Sequence, residues 1–277
     1  MSRKLKELLG GRFSPEELRL LVGGYDLVGD IAVVIIPESL NGKENEIAKA
    51  ILDCNRRIRV VVKRAARYGG EFRTLPVKII GGENRLETEV IEFGIRLRLN
   101  IEKVYFSIRS GGERRRIASL VRSGEEVLVL FSGIAPYPLM ISRYSRAGEI
   151  VAVEKNPVAH RYAEINVKLN KRENNIKLIH GDVEDIVPSF SRRFDRLVMV
   201  YPKGGERFLH TALDALKPGG TLHFYDMQHL DALELSLEKV RSVCMKRGRS
   251  LVDSAFTVCG HCAPRTHRIC VDCLIET

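Results

Sequence analysis

Hydrophobic and polar positions along the chain follow two different patterns, and the change between them falls near residue 103. The first part contains apolar runs of strand length and a stretch of alternating apolar and polar residues, as is typical of strands with one buried face. These strand-like segments are residues 30–37, 57–64, 75–82 and 88–101. One helix is predicted at residues 43–54. We therefore predict a small α+β domain over residues 1–102.

From about residue 104, apolar runs alternate with amphipathic segments. The predicted strands are residues 125–131, 149–154, 176–182, 194–202 and 221–226, followed by a pair near 250–258 and 266–275. The predicted helices include residues 157–170, 206–216 and 230–247. Asn156 is a suitable N-cap for the first of these helices, with Pro157 at its first position. The alternation predicts a parallel, doubly wound sheet, so we expect residues 103–277 to form an α/β, Rossmann-like domain.

Composition narrows the class of protein. Hydrophobic residues make up 44% of the 277 residues, which is typical of a folded chain and not of a disordered one. No apolar stretch of about 18 residues is present, so the sequence predicts no membrane-spanning helix. The N-terminal segment is polar, without the apolar region of a signal peptide, and six cysteines are few for a disulfide scaffold. These features favour a reducing compartment and a cytoplasmic protein.

The basic residues are concentrated in two clusters. The chain has 45 Lys and Arg against 35 Asp and Glu, a formal net charge of +10. Residues 54–73 contain seven basic residues and one acid, and residues 103–122 contain six basic residues and one acid. This distribution favours a polyanionic partner, most simply a nucleic acid, with solvated surface charge as the alternative.

Glycine and acidic residues follow the predicted parallel strands, at the sheet edge where doubly wound proteins bind ligands. Gly133 follows the first strand and permits a tight turn next to a ligand. Glu154 ends the second strand, where an acid can accept hydrogen bonds from both ribose hydroxyls; a surface acid is the alternative. Asp182 and Val183 follow the third strand, with helix capping by Asp182 as the alternative to ligand binding. The G-x-G-x-x-G motif that binds the pyrophosphate of NAD or FAD is not present at the first strand end, which argues against these cofactors.

A strand pair after five strand–helix units is the pattern of class I S-adenosylmethionine (AdoMet) methyltransferases. In these enzymes, the third strand end usually holds the adenine. In members that methylate amino groups, the fourth strand end carries a loop that receives the target base. Here that strand end reads Tyr201-Pro202-Lys203. Tyr201 is a candidate for stacking on a base, a contact worth roughly 1–3 kcal/mol, and a turn tyrosine is the alternative.

The segment before the first of these strands is the most specific one in the chain. It reads VYFSIRSGGERRRIASLV, at residues 104–121. Together with FSG, VEKNP, IHGDVED and YPK, it resembles the archaeal and eukaryotic-type tRNA (guanine-37-N1) methyltransferases and their relatives, the aminocarboxypropyl transferases of the wybutosine pathway. The resemblance runs from about residue 25 to the C-terminus. The residues that match the family's Y-F-S-P-R-L-x-x-E-R block are Tyr105, Phe106, Ser107, Arg109, Glu113 and Arg114.

The resemblance implies roles for these residues. It makes Glu113 the general base for the guanine N1 proton, which must leave as the methyl group arrives. It makes Arg114 the partner of the AdoMet carboxylate, and Arg73 the group that stabilises charge on guanine O6. A charged first helical turn is the alternative for Glu113 and Arg114. The resemblance further implies cofactor contacts from Ser107 and Phe131, and substrate contacts from Tyr105, Arg109, Tyr201, Pro202 and Lys203.

The chain also departs from the family's pattern. Leu130 stands where the family has an acid, and Val200 stands where it has an asparagine. Arg109 and the pair Pro202-Lys203 favour the methyltransferase branch. The resemblance therefore implies an AdoMet-dependent enzyme that acts on the anticodon stem-loop of tRNA, and we expect a monomer. Aminocarboxypropyl transfer and RNA binding without catalysis are the alternatives.

Four cysteines near the C-terminus form two C-x-x-C pairs, a spacing common in zinc sites. They are Cys259, Cys262, Cys270 and Cys273. The gap between the pairs is short, and a predicted strand places Cys270 and Cys273 on opposite faces. We therefore expect small buried side chains and no metal, with zinc binding and a disulfide as the alternatives.

Overall fold

The computed structural model describes residues 5–191 and 193–277, so the first four residues of the polar N-terminal segment lie outside the described part. The chain divides into two compact units, Met1–Ile108 and Arg109–Thr277. The boundary expected from the sequence, between residues 102 and 103, lies slightly earlier and stays a prediction. Within the described part, no helix combines the length and apolar character needed to cross a bilayer.

The helices and strands of the first unit are short. In chain order they are α1 (Leu5–Leu9), α2 (Pro15–Leu20), β1 (Asp26–Val28), β2 (Ile31–Val34), α3 (Glu44–Cys54), β3 (Val60–Arg64), β4 (Val77–Gly82), β5 (Glu87–Glu92) and β6 (Ile95–Asn100). The first four strands form a sheet in the order β1-β2-β3-β4, in which β2 and β3 are parallel and the outer pairs are antiparallel. β5 and β6 form a separate antiparallel hairpin.

Two helices of this unit were not predicted. α1 and α2 have five and six residues, too few to show a hydrophobic period. The start of α2 nevertheless carries a local signal. Ser14 and Glu17 form a capping box, in which the Ser14 hydroxyl accepts from the Glu17 amide and the Glu17 carboxylate accepts from the Ser14 amide.

The second unit alternates strands and helices. In chain order its elements are α4 (Gly111–Leu120), β7 (Val127–Leu130), α5 (Pro136–Tyr144), β8 (Ile150–Glu154), α6 (Pro157–Leu169), β9 (Ile176–His180), α7 (Val183–Ile186), β10 (Phe194–Met199), α8 (Leu209–Asp214), β11 (Leu216–Gln228), α9 (Glu234–Lys246), β12 (Ser250–Ala263) and β13 (Thr266–Glu276). Its sheet has the order β12-β13-β11-β10-β7-β8-β9. β11, β10, β7, β8 and β9 are parallel, whereas β13 is antiparallel to both of its neighbours. The predicted fold class, a small α+β domain before a Rossmann-like α/β domain, is confirmed.

Helix ends in the second unit follow local capping. The Oδ1 atom of Asn156 accepts hydrogen bonds from the amides of Val158 and Ala159, so the predicted N-cap of α6 is confirmed. The helix predicted at 230–247 begins later, because a 3₁₀ turn, Leu230–Ala232, precedes α9.

β11 is longer than the sequence predicts. The segment expected to be one helix, residues 206–216, forms a 3₁₀ turn at Gly205–Phe208 and then the short helix α8. β11 begins at Leu216 and includes Pro218 and Gly219, which the pattern places in a turn. The register between β10 and β11 shifts here, and Gly219 has a φ of +73°. This irregularity accommodates a proline that has no amide hydrogen for the ladder.

Candidate active site

The strand order reverses at β7, which has β8 on one side and β10 on the other. In doubly wound sheets, ligands bind at the carboxyl ends of the strands next to such a reversal. The chain leaves β7 through Phe131 and Gly133, both of which have a φ of +58°. The Gly133 amide donates to Oε2 of Glu154 over 2.7 Å, and the Asn156 amide donates to Oε1 of Glu154 over 2.7 Å. The structure thus joins two predicted cofactor residues, Gly133 and Glu154.

Glu154 ends β8 and is partly buried. Burial raises the pKa of its carboxyl group above the ordinary value, and the amides of Asn156 and Gly133 oppose that shift. The Lys155 amide opposes the shift as well. A carboxylate has about four lone-pair sites, so the group keeps acceptor capacity for a ribose hydroxyl.

Ser132 lies between Phe131 and Gly133 and is 3% exposed. Within residues 5–191 and 193–277, its hydroxyl has no hydrogen-bond partner. A buried hydroxyl left unpaired costs about 1–3 kcal/mol, so this position favours a ligand that brings a polar group. With the Glu154 carboxylate, the Ser132 hydroxyl supplies polar contacts that suit a nucleoside with a charged tail. The residues of this strand end therefore fit AdoMet.

Asp182 follows β9 and is the N-cap of α7. Its Oδ1 atom accepts a hydrogen bond from the Glu184 amide over 3.0 Å, and its Oδ2 atom pairs with Nζ of Lys155 at 2.9 Å. Lys155 lowers the pKa of Asp182, against the opposing effect of burial. Val183 is buried in the core. The capping alternative describes the observed contact of Asp182, and the contact of both residues with an adenine stays a prediction.

Three aromatic rings pack together after β7 and β10. The ring centroid of Tyr201 lies 4.7 Å from that of Phe131 and 5.9 Å from that of Phe208. Tyr201 and Pro202 are half-buried, and Lys203 is exposed. Tyr201 is therefore next to the strand end that carries Ser132, and its stacking on a target base stays a prediction.

Glu113 lies in the first turn of α4 and is 7% exposed. Arg116 forms a two-point ion pair with it, from Nε to Oε2 over 2.7 Å and from Nη2 to Oε1 over 2.7 Å. The Tyr225 hydroxyl, on β11, donates to Oε1 over 2.6 Å. Oε1 therefore accepts two hydrogen bonds and Oε2 accepts one from these residues, which leaves acceptor capacity on Oε2.

Neither partner of Glu113 was predicted from the sequence. Arg116 follows Glu113 by three positions, a spacing at which side chains on a helix meet, so its role could have been anticipated. Tyr225 is separated from Glu113 by 112 positions and could not have been anticipated from local spacing.

Arg114 belongs to the same buried region. It is 2% exposed, and its guanidinium carbon lies 6.0 Å from the ring centroid of Tyr137 on α5. The Tyr137 hydroxyl in turn donates to the Tyr225 hydroxyl over 3.1 Å. A charged helical turn without a function is normally solvated, whereas Glu113 and Arg114 are both buried. This burial favours the functional interpretation of the two residues.

Three predicted site residues belong to the first unit. Arg73, between β3 and β4, has a φ of +50°. The ring of Tyr105 meets the edge of the Tyr68 ring at 5.4 Å between centroids, and Ser107 is half-buried. Arg109 is the first residue of the second unit and is exposed. The cofactor and substrate roles of these residues stay predictions.

The four C-terminal cysteines differ in their environments. Cys270 and Cys273 are fully buried on β13, as expected for small core side chains. Cys259 is half-buried and Cys262 is exposed, so the expectation of burial is wrong for Cys262. The reason is that Cys262 lies near the end of β12, next to the turn that joins it to β13. All four are free thiols.

One group of side chains in the described part is close enough to hold a metal ion. The ligand atoms of His223, Cys270 and Asp272 lie within 4.8 Å of one another. Asp272, however, pairs with Arg116 at 2.6 Å, and Nε2 of His223 is 2.7 Å from a guanidinium nitrogen of Arg196. Two guanidinium groups already supply positive charge to these ligand atoms, so the contacts favour a hydrogen-bonded cluster.

Two protein-family models match most of the chain. Residues 88–252 match the model of the TRM5/TYW2 methyltransferase domain, and residues 5–85 match that of the TYW2 N-terminal domain. Over 93% of its length, the chain is 35% identical to the tRNA (guanine(37)-N(1))-methyltransferase Trm5b of Pyrococcus abyssi, of which it covers 77%.

Two further relatives cover almost the whole chain. It is 30% identical, over 91% of its length, to the tRNA(Phe) (4-demethylwyosine(37)-C(7)) aminocarboxypropyltransferase of Methanocaldococcus jannaschii, of which it covers 98%. A solved complex of aTrm5 with tRNALeu superposes with a TM-score of 0.84 at 28% identity, covering 99% of this chain and 79% of that one. The chain therefore belongs to the TRM5/TYW2 methyltransferase family.

Proposed function

We propose that this protein is a cytoplasmic, AdoMet-dependent tRNA methyltransferase that methylates N1 of guanine-37 in the anticodon loop. The observation that carries the proposal is the buried Glu113 carboxylate, which is held by Arg116 and Tyr225 and keeps acceptor capacity on Oε2. Guanine N1 carries a proton at neutral pH, so its methylation needs a fixed acceptor of this kind. The 35% identity to an enzyme named for this reaction supports the proposal.

The residues of the second unit have distinct roles in this proposal. AdoMet, when bound, supplies an electrophilic methyl group on a sulfonium. Glu154 accepts hydrogen bonds from the ribose hydroxyls of AdoMet. The buried Ser132 hydroxyl forms a hydrogen bond with the cofactor. Arg114 pairs with the cofactor carboxylate. Glu113 accepts the N1 proton at Oε2, because Oε1 is already occupied by two donors.

The basic residues of the first unit support tRNA as the substrate. Arg56, Arg57 and Arg59 lie within the first basic cluster and are exposed. Exposed arginines of this kind bind phosphates and release condensed counterions, which gives affinity without base specificity. The proposal assigns these residues to the tRNA backbone and leaves the choice of guanine to the Glu113 region.

A second reaction, aminocarboxypropyl transfer, is favoured by a specific observation. Residues 5–85 match the TYW2 N-terminal domain, and the chain covers 98% of an aminocarboxypropyltransferase against 77% of Trm5b. Both reactions use AdoMet and differ in which carbon on the sulfonium is attacked. In this proposal, the orientation of the bound cofactor decides which of these carbons faces the target base.

Nucleoside mass spectrometry after transfer from AdoMet tests the proposal. We expect one methyl group on transcripts with guanine at position 37 and none on matched transcripts with adenine there. An added mass of an aminocarboxypropyl group on a modified guanosine establishes the second reaction instead. Equal methylation of both transcripts contradicts the proposal. Failure to bind AdoMet at millimolar concentration in calorimetry also contradicts it and favours the alternative of a non-catalytic RNA-binding protein.

Glu154→Gln is expected to weaken AdoMet binding by about 10–100-fold, because the variant loses a charged acceptor for the ribose hydroxyls. Isothermal titration calorimetry measures the change. Glu164→Gln is the matched control, since Glu164 is 56% exposed on α6 and its His160 contact is long, at 3.8 Å. An unchanged dissociation constant in Glu154→Gln contradicts the assignment of Glu154 to the ribose.

A further inference from the structure

Asp272 connects Glu113 to the sheet through Arg116. Besides pairing with both oxygens of Glu113, Arg116 donates from Nη1 to Oδ2 of Asp272 over 2.6 Å and from Nη2 to Oδ1 over 3.3 Å. Arg116 and Glu113 belong to α4, whereas Asp272 belongs to β13. The guanidinium therefore lies between two carboxylates from different elements and hydrogen-bonds to both of them.

A buried histidine fixes Asp272. His223 lies opposite Asp272 in the β11–β13 pair and is fully buried. Its Nε2 atom is 2.7 Å from Nη1 of Arg196, and its Nδ1 atom is 2.6 Å from Oδ1 of Asp272. Because a guanidinium only donates, Nε2 accepts and Nδ1–H donates to Asp272. Arg196 is held in turn by both oxygens of Glu125, at 2.7 and 3.0 Å.

Burial and hydrogen bonds determine the ionisation states of His223, Asp272 and Arg116. Burial lowers the pKa of His223, so the imidazole is neutral. Burial opposes ionisation of Asp272, but the hydrogen bonds from His223 and Arg116 hold its pKa well below the ordinary value. Burial opposes the charge on Arg116 as well, but its hydrogen bonds to Glu113 and Asp272 outweigh this effect and raise its pKa. Arg116 and Asp272 therefore carry full, opposite charges at neutral pH.

Titratable and charged groups face Glu113 from five elements. They are Arg114 and Arg116 on α4, Tyr137 on α5, Tyr225 on β11, Cys259 on β12 and Cys270 on β13, with Asp272 on β13 connected through Arg116. Burial raises the pKa values of the two tyrosines and the two cysteines, which keeps them neutral. The charges that act on Glu113 at neutral pH thus come from the arginines and from Asp272.

We propose that Arg116 and Asp272 are positioning residues that fix the Glu113 carboxylate and tune its basicity in opposite directions. The inference rests on the proposed function, in which Glu113 is the base. The positive charge of Arg116 favours the ionised carboxylate and weakens it as a base. Asp272 offsets part of that charge and strengthens the base. Both residues act through Glu113.

Carbon-13 NMR of the Glu113 carboxyl group tests the opposite signs directly, with the signal identified by its loss in Glu113→Gln. Arg116→Gln removes a positive charge, so we expect the titration midpoint of this signal to move to higher pH. Asp272→Asn removes a negative charge from an isosteric side chain, so we expect the midpoint to move to lower pH. Arg116→Lys keeps the charge and moves the midpoint less than Arg116→Gln does.

Asp226→Asn is the matched control for the NMR experiment. Asp226 is a buried aspartate on β11 that pairs with Lys239 at 2.6 Å and forms no described bond to Glu113, Arg116 or Asp272. We expect it to leave the midpoint in place. Midpoints that move in the same direction in Arg116→Gln and Asp272→Asn, or that move equally in Asp226→Asn, overturn the inference.

A double-mutant cycle on the single-turnover transfer rate supplies the functional measurement. We expect Asp272→Asn to slow the wild-type reaction about tenfold and to have no further effect in a Glu113→Gln background. Unchanged AdoMet affinity shows that the variants are folded. Equal slowing in both backgrounds overturns the inference. A wild-type protein that transfers no group refutes the proposed function alone, because the NMR midpoints still decide the roles of Arg116 and Asp272.

Discussion

Glu113→Gln is expected to lower the single-turnover rate of methyl transfer by about 10²–10⁴-fold, the usual contribution of a general base. Glutamine has the size of glutamate but does not accept a proton from guanine N1 at neutral pH. Its amide also faces Arg116, which can only donate, so the two-point ion pair is lost. Rapid-quench measurement with saturating AdoMet and tRNA isolates this step from binding.

The affinity for AdoMet separates a role in chemistry from a role in cofactor binding. We expect the dissociation constant of Glu113→Gln to change less than about threefold, since the general-base interaction is made with the target base. Glu184→Gln, at an exposed position on α7, is the control for the same chemical change. A Glu113→Gln enzyme with the wild-type single-turnover rate refutes the general-base assignment.

Arg196→Ala is expected to lower the free energy of unfolding of the second unit by about 3–5 kcal/mol, as is found when one partner of a buried ion pair is removed. The Arg196 side chain is 5% exposed and pairs with Glu125 at 2.7 Å. It also donates to the Leu120 carbonyl over 2.9 Å and to Nε2 of His223 over 2.7 Å. Its removal leaves a carboxylate and an imidazole nitrogen without their donor.

Urea denaturation followed by circular dichroism measures this loss. Lys217→Ala is the matched control, because Lys217 pairs with Asp195 at 2.9 Å and with Glu126 at 3.2 Å while its side chain is 39% exposed. Exposed pairs contribute about 0–1 kcal/mol, so we expect a small change in the control. Equal losses in the two variants contradict the claim that burial makes the Arg196 cluster important for stability.

Local patterns predicted much of the second unit because its central strands are buried on both faces and its helices have recognisable ends. The apolar runs that became β7 and β8 show this, and so does the cap at Asn156. The pattern failed at Pro218 and Gly219, which continue β11 through an irregular register. It also failed at α1, whose Leu5 and Leu9 are buried in the core of the first unit, and at α2, which has six residues and is too short to show a period.

The contacts of the candidate site were likewise only partly predictable from the sequence. The contact between Gly133 and Glu154 was foreseeable, because both follow parallel strands and such strand ends share one edge of a sheet. The environment of Glu113 was not foreseeable from strand ends. Its carboxylate is held by an arginine of its own helix and by Tyr225, and the arginine is held by Asp272 near the other end of the chain.

The sequence by itself determined the order of the strands and of most helices in the second unit, and the resemblance that points to AdoMet and tRNA. These features depend on residues close together in the chain, where period, capping and motif spacing act. The tertiary structure alone decided which side chains surround Glu113. Tyr225 bonds to Glu113 across 112 positions of the chain, and Asp272 bonds to Arg116 across 156. These contacts form because β13 lies beside β11 in the sheet and side chains of α4 bond to both strands. No local pattern encodes such contacts, since strand order and helix packing set them for the whole domain at once.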